Sequence, residues 1–118
     1  MKKTLMVLVV EDDPSFRYML MEYLGGEYDV VSVATGKQFY RLATGFPEDF
    51  DALVVDIHLP DWDGDEAVKL IQDLNVDTPV IFITGDLSIA ENLPSGSKML
   101  VKPFSGKDLL NEVRNSLR

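Results

Sequence analysis

The sequence predicts a single α/β domain built on a parallel sheet covered by helices on both faces. Two observations carry this reading. Short valine-rich apolar runs alternate with stretches of helical periodicity along the whole chain, the pattern of repeated strand–helix crossovers. The runs are continuously apolar rather than alternating, as strands buried on both faces must be. The length, 118 residues, is that of one domain able to bury its own core, so residues 1–118 are read as one unit.

Leu5 to Val10 forms the first predicted strand. Asp13-Pro14 then supplies an N-cap and a first helical residue. Phe16, Met19, Leu20, Tyr23 and Leu24 follow at helical spacing until Gly25-Gly26 stops the helix. Val30 to Val33 is the second strand. Thr35-Gly36-Lys37-Gln38 matches a capping box ahead of Phe39, Leu42, Ala43 and Phe46. Ala52 to Val55 is the third strand, and Asp63 or Asp65 caps a helix presenting Ala67, Leu70, Ile71 and Leu74. Val80 to Ile83 and Met99 to Val101 make the last two strands. Ser105, with Asp108 three residues on, opens a final helix with Leu109, Leu110, Val113 and Leu117 on its apolar face. Between Gly85 and Ser97 the helical pattern is weak, because Pro94-Ser95-Gly96 cuts it.

Composition removes several classes of function. There is no cysteine, so disulfides, thiolate zinc sites and cysteine nucleophiles are excluded. Twenty acids against eleven bases leave a net charge of −9, which repels nucleic-acid phosphates and argues against direct DNA or RNA binding. The six-residue apolar stretch after Lys2-Lys3 is too short for a signal peptide or a membrane span, so a cytoplasmic protein is expected.

In a parallel sheet all strands end on one edge, and ligands bind outside those carboxyl ends. The first strand is followed by Glu11, Asp12 and Asp13, the third by Asp56, the fourth by Thr84, and the fifth by Lys102. Crowded carboxylates favour a divalent cation, and oxygen donors suit Mg²⁺. A carboxylate is also a nucleophile able to form an acyl phosphate, whose charge a lysine and a hydroxyl can stabilise.

The segments Val7 to Pro14, Asp56-Ile57-His58-Leu59-Pro60-Asp61-Trp62-Asp63-Gly64, Ile83-Thr84-Gly85 and Val101-Lys102-Pro103-Phe104 resemble, in order and spacing, the motifs of bacterial response-regulator receiver domains. The resemblance implies a flavodoxin-like doubly wound sheet of five strands in the order 2-1-3-4-5, an order that receiver proteins themselves illustrate. It also implies that Asp56 is the phosphoacceptor and that Thr84 and Lys102 contact the phosphoryl group. Glu11 and Asp12 are then the acidic pair of a Mg²⁺ site completed by Asp56 and the backbone carbonyl of His58. The implied donor is a histidine kinase or a histidine phosphotransfer protein, and the output is altered binding of a downstream protein, with a homodimer compatible. Such a domain is not an enzyme beyond its own phosphotransfer and autodephosphorylation. The chain reads equally as a stand-alone receiver or as part of a larger regulator or hybrid kinase.

Other readings fit less well. A haloacid-dehalogenase-type phosphohydrolase wants a second Asp two residues after the nucleophile, where this chain has His58. A flavin carrier needs a phosphate loop where Glu11-Asp12-Asp13 would repel the phosphate. A non-phosphorylated interaction module leaves the full residue set without a purpose. Asp13 is read as a helix cap, and Asp61, Asp63 and Asp65 do not make a calcium loop because Gly64 falls at its fourth position. Trp62 is read as a loop residue and fluorescent reporter. One departure from the family pattern concerns output. Only seventeen residues separate Thr84 from Lys102, and Pro94 and Gly96 break the helical pattern, so the fourth helix is expected to be short or irregular. Met99 stands where an aromatic residue is usual, so an aromatic two-position switch is not expected.

Overall fold

The computed structural model describes residues 4–73, 77–85, 93 and 96–117, the side chain of Asp65 excepted. Five strands, β1 (Met6–Val10), β2 (Asp29–Val33), β3 (Ala52–Asp56), β4 (Val80–Thr84) and β5 (Lys98–Val101), form one sheet in the order β2-β1-β3-β4-β5. Every neighbouring pair is parallel. The helices are α1 (Pro14–Leu24), α2 (Gly36–Gly45), α3 (Gly64–Asp73) and α4 (Gly106–Ser116). The expected sheet order is therefore found. Most of the segment predicted to hold a short helix between β4 and β5, and Leu74, lie outside the described residues.

The apolar runs are continuous because β1, β3 and β4 each serve two cores. Leu8, Val10, Leu53 and Val55 pack under α2 and α3, with Phe39, Ala43, Ala67, Val68 and Ile71. Val7, Val9, Val54, Ile81 and Ile83 pack under α1 and α4, with Leu20, Leu24, Leu109 and Val113. A fully buried side chain of this kind contributes roughly 1.5–3 kcal/mol through removal from water.

Helix starts follow the predicted chemistry. The Asp13 carboxylate accepts from Ser15 N and Phe16 N, so its capping role is real. Ser105 and Asp108 make a reciprocal capping box on α4. At α2 the box is displaced: Thr35 Oγ1 accepts from Gln38 N, but the Gln38 amide oxygen accepts from Ala34 N rather than from Thr35 N. Three residues expected on apolar faces are instead exposed: Met19 by 41%, Phe46 by 55% and Leu70 by 47%. Val68, not singled out by the sequence pattern, is buried.

Candidate functional site

The carboxyl ends of β1, β3 and β4 and the residue after β5 meet at one rim. Register puts them there: Val10 pairs with Val55, Asp56 with Ile83, and Thr84 with Val101. The Lys102 amide donates to the Thr84 carbonyl at 2.8 Å, which ties the two strand ends together. Lys102 joins Pro103 through a cis peptide bond.

Glu11, Asp12 and Asp56 each bring a carboxylate oxygen within 4.8 Å of the others. Glu11 and Asp56 are buried and Asp12 is exposed, so the group opens to solvent on one side. Lys102 Nζ lies 3.3 Å from Glu11 Oε1 and 3.3 Å from Asp56 Oδ2. Asp56 Oδ1 accepts from the His58 amide at 2.9 Å, which leaves Oδ2 toward the ammonium. Arg17, on α1, donates to the Glu11 carbonyl at 2.9 Å and braces the acidic loop from behind.

Charge in this space is only partly balanced. Burial first, and then hydrogen bonding to Asp56 and its charge, push Glu11 up to about 8. Lys102 does not offset this, because Glu11 has lost nearly all its water while the ammonium is shared with Asp56. Partial burial works against the Lys102 ammonium, but the charges of Asp56 and Glu11 overcome it and hold its pKa above the usual lysine value.

The structure thus brings together Glu11, Asp12, Asp56 and Lys102 as the strand-end argument requires. Thr84 is buried at the end of β4, tied to Lys102 through its carbonyl. The His58 side chain is exposed, and its backbone bridges to Asp63. Three hard oxygen donors around one point, open to water on one side, fit Mg²⁺ better than a softer metal.

The sequence profile of the response regulator receiver domain matches residues 7–114. The chain belongs to that family. The response regulator receiver protein CpdR of Brucella abortus is 33% identical over 116 residues, covering 94% of this receiver and 95% of CpdR. The regulatory protein VirG of Rhizobium rhizogenes is 35% identical over 118 residues, and there the receiver spans only 48% of the relative's length. Among solved structures, the chemotaxis response regulator CheY4 of Vibrio cholerae superposes with a TM-score of 0.81 at 29% identity, covering 98% of this receiver and all of CheY4. The receiver is accordingly a component of two-component signalling, a family whose members interact with histidine kinases, and its acidic cluster is of the kind that serves as their Mg²⁺ site. Among the described residues, no helix is long and apolar enough to cross a membrane.

Two features escaped the sequence reading. Asp61 caps α2 from a distance, accepting from Gly36 N and Lys37 N. Phe16 lies under the Lys102 ammonium, 4.4 Å from Nζ to the ring centroid. Neither has a local signal, because each depends on a neighbour brought close only by the fold.

Proposed function

We propose that this receiver accepts a phosphoryl group on Asp56 from a phosphohistidine donor, a histidine kinase or a phosphotransfer protein, and that the modification changes binding of a downstream protein. The observation that carries this reading is the position of Lys102 Nζ, 3.3 Å from both Asp56 and Glu11, the two buried members of the three clustered carboxylates.

In the proposed step an Asp56 carboxylate oxygen attacks phosphorus. The O–P bond forms as the P–N bond breaks, and the electron pair returns to the imidazole nitrogen. The His58 amide holds one Asp56 oxygen and so orients the other. Lys102 follows the developing charge, and the Thr84 hydroxyl donates to a phosphoryl oxygen. Mg²⁺, held by Glu11, Asp12, Asp56 and the His58 carbonyl, supplies positive charge against the phosphoryl oxygens when bound. Residues 1–118 act as one receiver unit, with the Thr84 contact passed to the segment 85–98. The change in hydrogen exchange on adding beryllofluoride is expected to be largest there.

Incubation with acetyl phosphate and Mg²⁺, followed by intact mass, tests the assignment. The wild-type chain should gain one phosphoryl group and the Asp56→Asn chain none. Equal labelling of both would overturn it.

A further inference from the structure

A lysine ammonium has three N–H donors, and the Glu11 and Asp56 carboxylates account for two directions around Lys102. A third side is closed by the face of Phe16, with Nζ 4.4 Å from the ring centroid, well inside the range of about 6 Å for a cation–π contact. Phe16 is itself held at two points, its backbone and its ring. Its backbone amide donates to the Asp13 cap at the start of α1. Phe104 meets it edge to face, with centroids 5.9 Å apart and planes at 79°. Phe104 lies two residues beyond Lys102, so the aromatic pair joins the first turn of α1 to the segment carrying the ammonium.

We propose that Phe16 is a positioning residue for Lys102, holding the ammonium at the rim while leaving it able to move with the charge. The inference rests on the phosphotransfer reading above and deepens it. As Asp56 becomes an acyl phosphate, negative charge moves from its carboxylate to the phosphoryl oxygens, and the ammonium must shift with it. An acidic or hydroxyl neighbour would hold Nζ through a directed hydrogen bond and compete with that shift. An aliphatic neighbour would leave the long lysine side chain its rotamer freedom, which costs entropy each time it is ordered. The quadrupole of a ring face attracts the cation over a broad range of positions and does neither.

The test compares Phe16→Tyr, which keeps the ring, with Phe16→Leu, which keeps apolar contact with Phe104 and removes the π face. Three readouts are needed: the rate of labelling by acetyl phosphate at saturating Mg²⁺, Mg²⁺ affinity from Trp62 fluorescence, and the NMR shifts of the Lys102 ε-methylene protons. Phe16→Leu should label about two- to fivefold more slowly with Mg²⁺ affinity unchanged. Phe16→Tyr should restore the rate. The ε-methylene protons should be moved upfield by the ring in the wild-type and Tyr chains and not in the Leu chain. Labelling of Phe16→Leu at the wild-type rate overturns the proposal, as does a parallel loss of Mg²⁺ affinity, which marks general damage to the acidic loop. Slow labelling of a folded Phe16→Tyr chain, or unshifted Lys102 protons in the wild type, also overturns it. If the wild-type chain takes no phosphoryl group at all, the phosphotransfer reading itself falls and takes this one with it.

Discussion

Asp61 straddles the first turn of α2, with Oδ1 accepting from Gly36 N at 2.8 Å and Oδ2 accepting from Lys37 N at 3.0 Å. Thr35 Oγ1 takes the next amide, Gln38 N, at 3.1 Å. The first-turn amides that a helix cannot satisfy internally are thus shared between a local cap and a carboxylate on the loop that follows Asp56. Although desolvation works against its charge, the Gly36 and Lys37 amides lower the Asp61 pKa below its ordinary value. A lowered folded pKa means that the contribution is present above the unfolded pKa and is lost as pH falls through the folded one. Asp61→Ala should therefore cost about 1 kcal/mol near neutral pH, on the scale of a lost cap. In urea melts the gap between wild type and variant should close in strong acid. A gap that stays constant with pH would show that charge at Asp61 is not what caps α2.

Gly36 also touches the same loop sterically. A β-carbon built there would lie 2.8 Å from Trp62 Cβ and 3.1 Å from Cε3. Trp62 Cβ is fixed to the backbone and cannot swing aside, and its ring is held edge to face against Tyr40 at 5.7 Å. Glycine to alanine in an open helix stabilises by roughly 1 kcal/mol. Here Gly36→Ala should destabilise instead, by about 1–3 kcal/mol, as overpacking does. Trp62 emission should shift with it. A variant more stable than wild type would mean that the loop yields freely.

The contrast between Asp56 and Asp61 shows where the sequence was legible. Asp56 could be placed because it ends a buried strand, and in a parallel sheet that alone puts it beside Glu11, Asp12 and Lys102. Asp61 could not, because its partners lie 24 and 25 residues earlier and meet it only when α2 and α3 pack side by side. The exposed Met19, Phe46 and Leu70 failed for another reason. Helical periodicity marks which residues share a face, but apolar side chains at the margin of that face are free to remain in water.

His58 separates backbone from side chain. Its amide donates to Asp56 Oδ1, while its imidazole is exposed two residues beyond that proposed acceptor. His58→Ala keeps the amide, so labelling at Asp56 and Mg²⁺ affinity should be retained. By the family pattern the side chain two residues after the acceptor tunes hydrolysis, so the lifetime of the phosphoryl group should change. By the family pattern Asp86, outside the described residues, shares that role. Decay of both His58→Ala and Asp86→Ala at the wild-type rate would remove these positions from control of hydrolysis.

Glu11 makes the metal-free protein sensitive to pH. Its folded pKa is raised from 4.5 to about 8, chiefly by burial and then by Asp56. Between those values the folded state holds more protons than the unfolded state, so stability must fall as pH rises, by at most about 1.4 kcal/mol per pH unit from this one group. With metal chelated, the unfolding temperature should be higher near pH 5.5 than near pH 8, and Glu11→Gln should remove that part of the slope. Asp12→Asn should also stabilise the metal-free protein, since it withdraws a neighbouring negative charge, while weakening Mg²⁺ binding. On the proposed metal site, Mg²⁺ and the proton compete for the acidic cluster, so added Mg²⁺ should raise the unfolding temperature more near pH 8 than near pH 5.5. Calorimetry on the three chains with and without Mg²⁺ reads all of this directly. Parallel pH profiles for wild type and Glu11→Gln would show that the buried glutamate is already ionised. An unfolding temperature indifferent to millimolar Mg²⁺ at the higher pH would show that the three carboxylates do not bind it.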